Sequence, residues 1–308
     1  MVTSQPADTP KLTLAGRWQR FRYHNHDALL AWTILVPILL YYTLFAAVPV
    51  ILNVVVSFAE WNGITKLSWV GFANYLRYFK DPLYLLIFRN TALFTFFSLI
   101  LGVPLGLVVA VLLNQKIRGM GLYRSLWYVP TVTSAAIMTQ FVALFISPYG
   151  GVLNIILKSM GMAEVIWTVN APAMRIVIIA FSVWKGVGGT MILYLAALQG
   201  IPQELYEAAM VDGADALRRF WYLTIPMVRH MTTFVVVTGI IGGFQIFEPI
   251  LLISKGGPFN LTNVIINQIY NDAFKNMDFG LATTSSTLLA LFLLAASVFM
   301  LRSMRQGE

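Results

Sequence analysis

Six long runs of apolar residues, nearly free of charge, dominate this sequence of 308 residues. A hydrocarbon core about 30 Å thick needs about 20 apolar residues of helix to cross it, and every run reaches that length. The runs therefore predict an all-α membrane protein with six transmembrane helices. They cover residues 29–58, 90–113, 123–146, 176–198, 231–253 and 281–301.

The composition excludes several classes of function. Only 11% of the residues are charged and 58% are hydrophobic, far from the balance of an ordinary soluble domain. Cysteine is absent, which excludes disulfides, thiolate metal sites and cysteine nucleophiles. The formal net charge of +8 comes from basic residues scattered between the apolar runs, so no stripe for nucleic acid is formed. We therefore expect no bound cofactor and no nucleic-acid partner.

Basic residues in the connecting segments predict the orientation. With the N-terminus inside, twelve Lys and Arg residues face the cytoplasm and eight face outward, and the bias is sharpest in the short loop 114–121. Both termini are therefore predicted to be cytoplasmic. We expect a tail over residues 1–27, a six-helix membrane domain over 28–301 and a second tail over 302–308.

One predicted cytoplasmic segment, residues 200–229, is polar and patterned. Pro202 suits the first turn of a helix, and Gly213 can take the left-handed conformation that ends one. Asp215 can then cap a second helix, which should stop before Pro226. Small side chains at Ala208 and Ala209 give the first helix a flat face on which another protein can rest, and Glu207 adds a charge beside them.

This segment resembles the EAA loop of permease subunits of ABC importers, with Glu-Ala-Ala, three residues, Gly, nine residues and an aliphatic stretch ending in Pro. Glu207, Ala208, Ala209, Gly213 and Pro226 match at that spacing, whereas the two aliphatic positions, Leu223 and Ile225, are exchanged. Further segments resemble the sugar-importing, maltose-type branch of the family. They are Gly71 to Tyr75, Asp81-Pro82, Asn90-Thr91, Arg118-Gly119, Tyr123-Arg124, Gly256-Gly257-Pro258, Ala273-Phe274 and Asp278 to Gly280.

The resemblance implies a type I ABC importer permease fold in a bacterial plasma (inner) membrane. It also implies four kinds of partner: a second homologous permease, an ATP-binding subunit dimer, an extracellular solute-binding protein and a sugar. The residues implied in coupling to the ATPase are Glu207, Ala208, Ala209, Asp212, Gly213 and Arg218. The chain itself has no Gly-rich phosphate-binding motif with Lys, so ATP and Mg are expected on the partner and this subunit is not expected to be an enzyme.

The fifth run combines polar residues with a helix breaker at membrane depth, which predicts a substrate path. Pro249 cannot donate a backbone hydrogen bond and leaves the carbonyl of Gln245 free, which predicts a bend. An amide and a carboxylate beside aromatic rings can serve the hydroxyls and the C–H face of a sugar. The predicted path residues in this run are Phe244, Gln245, Phe247 and Glu248. The alternative is that Gln245 and Glu248 only hydrogen-bond between helices.

Lys185 is the basic residue that falls inside a predicted span, so it should have a partner or face water. Two hypotheses are open: an ion pair with Glu248, or a contact with an acidic sugar. Trp184 beside it and Thr284 in the sixth run are further candidates for the path, although helical hydroxyls often bond their own backbone.

Three other functions compete with sugar import. The same architecture can carry a polyol, a glycerol phosphate or an acidic sugar, and residues alone separate these poorly. A secondary transporter needs no docking loop for an ATPase. An intramembrane enzyme needs paired catalytic residues at depth, and Glu248 is the acid that the sequence places inside a span.

Overall fold

The computed structural model describes residues 26–115 and 118–305. The predicted N-terminal tail up to residue 25, Lys116 and residues 306–308 of the predicted C-terminal tail lie outside the described residues. The chain divides into two compact units, one that ends at Val55 and one that begins at Val56.

The described part of the first unit contains α1 (His26–Tyr42), a π turn, Thr43–Ala47, and all of α2 (Val48–Val56) except its last residue. The wide turn ends just before Pro49, a residue that cannot donate the usual helical hydrogen bond. The stretch Leu30–Val56 is strongly apolar and its side chains are exposed, as expected for a helix solvated by lipid.

The second unit contains long apolar helices, short connecting helices and one small hairpin. The hairpin pairs β1 (Ala59–Glu60) with β2 (Ser68–Trp69) in an antiparallel register. The helices, in chain order, are α3 (Ala73–Lys80), α4 (Pro82–Leu113), α5 (Met120–Val132), α6 (Ala135–Phe145), α7 (Val152–Ser159), α8 (Ala171–Gln199), α9 (Gln203–Val211), α10 (Ala216–Arg219), α11 (Ile225–Met227), α12 (Arg229–Phe244), α13 (Ile265–Phe274) and α14 (Phe279–Arg305).

Within residues 26–115 and 118–305, four helical stretches are long and apolar enough to cross a membrane: α1 with α2, α4, α8 and α14. Two bent helix pairs raise the number to six if each pair is one span. This agrees with the mostly helical membrane fold that the sequence predicts. The runs at 90–113 and 176–198 are extended in the structure, because α4 and α8 begin earlier. Asp81 and Asn170 cap these two helices, each followed within two positions by a Pro.

The predicted run 123–146 is divided in the structure. Its two helices, α5 and α6, meet at an angle of 93°. Pro130 removes one backbone donor near the end of α5, and Thr133 is extended, with φ −74° and ψ 144°. A hydropathy pattern contains no information about this change of direction.

The long helices α4, α8 and α12 pack around one core. Its buried members include Leu107 and Ala110 of α4, Met191 and Tyr194 of α8, and Val235 of α12. α4 and α8 approach closely where a Cβ added at Gly106 would overlap the side chain of Thr190. Small residues at such crossings let backbones approach, which is how helices associate where lipid is as apolar as the side chains.

Candidate functional site

A break in the fifth predicted run forms the candidate site. α12 ends at Phe244, residues 245–247 are not helical, and the chain resumes a helical course at Glu248 and continues as a π turn, Ile250–Ser254. The bend predicted from Pro249 is therefore confirmed. The break presents irregular backbone and polar side chains, an arrangement tolerated at membrane depth where it lines a cavity.

A cavity of about 350 Å³ opens beside this break. Four helices and the break line it. α4 contributes Thr95 and Ser98, α8 contributes Ser182 and Thr190, α12 contributes Gly239 among others, and the first residue of α6 completes the wall. The sequence analysis missed these lining residues. Their signal was present, since small or hydroxyl side chains recur at helical spacing along one face of each helix.

Two of the predicted path residues, Gln245 and Glu248, line this cavity, and so does Lys185. Gln245 and Glu248 are both exposed to it. In the part of the chain that the structure describes, neither side chain has a hydrogen-bond or ion-pair partner. Their polar groups are therefore available to a solute, and the interhelical hydrogen bonds considered as the alternative are not formed.

Lys185 is held by backbone rather than by an acid. Its Nζ donates to the carbonyl oxygens of Pro130, Thr131 and Thr133 at 3.3, 3.3 and 3.0 Å. Thr131 Oγ1 donates back to the Lys185 carbonyl at 2.8 Å. The ion pair with Glu248 considered above is not formed, because the ammonium lies at the carbonyl end of α5, where the helix dipole favours a cation.

The other predicted path residues lie away from the cavity. Phe244 is buried and packs against Phe292 with 4.4 Å between ring centroids. Phe247 packs near Tyr270, 5.7 Å between centroids, and Trp184 lines separate apolar pockets. Thr284 is buried and donates to backbone carbonyls at Ser57 and Gly280. Its hydroxyl therefore does what helical hydroxyls often do.

The patterned segment 200–229 folds as a short helix, a turn and a second helix. α9 follows Pro202, which occupies the capping position rather than the first helical turn. Gly213 has φ 80°, the left-handed conformation expected there. Asp215 accepts a hydrogen bond from the backbone N–H of Arg218 at 2.7 Å, so the predicted cap is confirmed.

The second helix does not stop before Pro226, so that expectation is wrong. A π turn, Phe220–Thr224, joins α10 to α11, and Pro226 lies inside α11. The Ile225 N–H donates to the carbonyl of Phe220, five residues back. This wider turn leaves room for a residue without an N–H donor.

All six residues predicted for coupling face solvent to some degree. Glu207, Ala208, Asp212, Gly213 and Arg218 are exposed, and Ala209 is partly exposed. Large apolar side chains surround them, with Val211 at 88% and Tyr222 at 83% exposure. Exposed large apolar side chains beside a few charges are typical of a protein contact site.

A buried polar network lies at the opposite ends of α4 and α14 from this loop, around α13. The Asp272 carboxylate accepts hydrogen bonds from Tyr84, Gln268 and Asn276 at 2.9, 2.8 and 3.0 Å. Burial raises the pKa of Asp272. Arg77, a nearby cation, is paired with Asp278 at 2.7 Å.

The comparisons with known proteins converge on one family. Residues 102–306 match the binding-protein-dependent transport system inner membrane component family. The chain is 30% identical to the lactose transport system permease protein LacF of Rhizobium radiobacter, over 93% of this chain and 97% of that one. It is 28% identical to the arabinooligosaccharides transport system permease protein AraP of Halalkalibacterium halodurans, over 90% and 88%.

A solved structure resembles the fold closely. A chain of a bacterial ABC transporter involved in the import of the acidic polysaccharide alginate superposes with a TM-score of 0.82 at 24% identity. The match covers 93% of this chain and 99% of that one.

Proposed function

Because the chain belongs to the family of binding-protein-dependent transport system inner membrane components, we propose that it is one permease subunit of an ATP-driven sugar importer. It is a multi-pass membrane protein of the ABC permease class. In the proposal it forms half of the path for a sugar or oligosaccharide across a bacterial inner membrane.

The proposed topology has six spans with both termini in the cytoplasm. α5 with α6 counts as one broken span, and α12 with the π turn that follows its break counts as another, corresponding to the predicted run 231–253. The tails are 1–27 and 302–308, and the domain between them includes the coupling loop 200–229. The positive-inside bias of the connecting segments supports this orientation.

A sugar is the proposed cargo for two reasons. The relatives LacF and AraP are named for lactose and arabinooligosaccharides. Independently, the cavity at the broken span offers an amide at Gln245 and a carboxylate at Glu248, both without partners among the described residues. These groups can hydrogen-bond the hydroxyls of a sugar. We propose Gln245 and Glu248 as the substrate contacts of this subunit.

The proposed assembly contains a second homologous permease, an ATP-binding subunit dimer and an extracellular solute-binding protein. ATP and Mg bind to the ATPase partner, and this chain binds no cofactor and no nucleic acid. One observation carries the coupling role: the Glu207-Ala208-Ala209 face belongs to an exposed short helix that ends at the left-handed Gly213. ATP-driven closure of the ATPase pair would push α9 and open or close the cavity.

Co-purification tests the proposal. We expect the wild-type chain, co-expressed with the subunits encoded beside it, to retain an ATPase and a second permease in detergent. Glu207→Arg reverses a charge on the docking face, and Gly213→Pro removes the left-handed helix end, so both should lose the ATPase. Glu164→Arg is the matched control, because Glu164 is an exposed carboxylate on the predicted outer face.

Either result is informative. Loss of the ATPase from the two loop variants but not from the control supports an importer permease. A wild-type chain that purifies alone and moves solute in liposomes without ATP is a secondary transporter, and the proposal is then wrong.

A further inference from the structure

The charge pattern of the cavity is asymmetric. Among the described residues that line it, the ionisable ones are Lys185 and Glu248, one basic and one acidic. If both were free, the cavity would suit a neutral or a zwitterionic solute equally well. Their different surroundings decide which charge a solute meets.

The hydrogen-bond donors of Lys185 are already occupied. An ammonium group has three N–H donors, and Lys185 Nζ has three carbonyl oxygens within 3.3 Å. These acceptors lie at the end of α5, where the helix dipole adds negative potential. A carboxylate or phosphate on a solute would have to displace these carbonyls before the ammonium could bind it.

The acceptor oxygens of Glu248, by contrast, are unoccupied among the described residues. Its side chain is exposed to the cavity, and no described residue donates a hydrogen bond to it or forms an ion pair with it. A carboxylate is an acceptor only, so it binds hydroxyl donors of a sugar and repels an anion. The neighbouring Gln245 amide is free to donate and to accept, and it adds no charge.

We propose that Glu248 is a specificity-determining residue, and that this half of the path selects an uncharged sugar and excludes acidic sugars and sugar phosphates. The substrate class rests on the proposed function, whereas the charge asymmetry behind it does not. The proposal chooses among the solutes that residues alone left open. It also gives Lys185 a structural role instead of a contact with substrate.

Thiol labelling measures the field in the cavity without any substrate. The chain has no cysteine, so Ser98→Cys places a single thiol of this subunit in the cavity wall. The probes are two methanethiosulfonates of similar size, one with a trimethylammonium group and one with a sulfonate group. The measured quantity is the ratio of their labelling rates in the complete complex, corrected for their rates with a small free thiol. Complexes without the introduced cysteine give the background.

We expect the cationic probe to label Ser98→Cys about tenfold faster than the anionic probe, because unscreened charge in a cleft changes local ion concentration by such factors. Adding Glu248→Gln should lower the ratio to one or below, because the Lys185 ammonium then carries the remaining charge in the cavity wall. Ser182→Cys, on the facing helix, is a second position in case the first variant does not assemble.

Three results would overturn the proposal: faster labelling by the anionic probe, a ratio that Glu248→Gln does not change, or no labelling at either position. None of these depends on transport. A failure here therefore leaves the co-purification result intact, and a failure of co-purification leaves the measured field intact.

Discussion

Lys185 shows how a single charged residue can be stabilised in a predicted membrane span. An uncompensated charge at that depth is costly, and here three backbone carbonyls compensate it. The same contacts fix the end of α5, where the chain bends by 93° into α6. Sequence alone predicted that Lys185 needs a partner, but the partner lies 52 to 55 residues away and is backbone, which side-chain identities do not reveal.

Lys185→Met should therefore loosen the break between α5 and α6. The substitution leaves three carbonyls without their charged donor, which we expect to cost about 2 kcal/mol in the free energy of unfolding. The measurement is the thermal unfolding of the purified complex in detergent. Lys158→Met, which removes a highly exposed Lys of α7, should leave the melting temperature unchanged. Equal melting temperatures for Lys185→Met and the wild type would contradict the assigned role.

Asp272 allows a prediction about pH. Burial is the largest cause of its raised pKa, and the hydrogen bonds from Tyr84, Gln268 and Asn276 only partly oppose it. A carboxyl whose pKa is higher in the folded state than in the unfolded state stabilises the fold below its unfolded pKa, and this stability is lost as the pH rises through the folded pKa.

Asp272→Asn keeps the shape of the side chain and removes its titration. The melting temperature of the variant minus that of the wild type should therefore increase from pH 5 to pH 8. Asp212→Asn, an exposed acid in the coupling loop, serves as the control and should show no such trend. If the melting temperature of the wild type instead rises relative to that of Asp272→Asn as the pH rises, the predicted direction is wrong.

Gly102 and Gly106 provide a matched test at the scale of helix packing. Both lie on one face of α4, but a Cβ at Gly106 would overlap Thr190 on α8, whereas a Cβ at Gly102 meets no atom within 4 Å. We expect Gly106→Ala to destabilise the fold by about 2 kcal/mol through overpacking, and Gly102→Ala to be neutral or slightly stabilising. Thermal unfolding measures both, and equal effects would mean that α4 and α8 do not approach closely at Gly106.

At the scale of whole elements, the sequence predicts well what depends on hydrophobicity and caps. The apolar runs located the long helices, and the left-handed Gly213 and the Asp215 cap followed from local backbone chemistry. The sequence-based prediction failed where the backbone could continue the helix in another way. Pro226 was expected to end a helix, but a π turn carries the helix past it.

The candidate site was predictable only in part, for a related reason. Gln245 and Glu248 were identified as candidates because Pro249 predicts a break in the fifth run, and both line the cavity. Phe244 was included because it is adjacent in sequence, yet it points into the packing with Phe292. Which residues at a helix end face the cavity depends on how several helices cross. The sequence of one apolar run does not contain that information.

For the whole molecule, the cavity and the coupling loop lie at opposite ends of one continuous segment. α9 leads through α10, the π turn and α11 into α12, which ends at the break beside Glu248. Tyr206 of α9 hydrogen-bonds Thr224 of the π turn at 3.1 Å, which ties the exposed helix to this segment. A push on α9 therefore has a short structural connection to the cavity. The proposed coupling requires that α9 lies on the cytoplasmic side and that the segments beyond the break lie on the outer side.

Single-cysteine labelling tests that requirement for the entire chain. Three positions on predicted outer segments, Ile64, Tyr149 and Phe259, and two on the coupling loop, Val211 and Tyr222, are each between 83% and 94% exposed. The side chains are equally accessible in the chain by itself. In cells that express it without its partners, the membrane is therefore what separates them. A maleimide that does not cross membranes should label cysteines at the three outer positions in intact cells, and cysteines at the two loop positions only after permeabilisation.

Six spans with cytoplasmic termini require this alternation. An even number of membrane crossings separates any two of the outer segments, and an odd number separates each outer segment from the loop. Labelling of Val211→Cys in intact cells would place the coupling loop outside, where ATP-driven coupling is impossible.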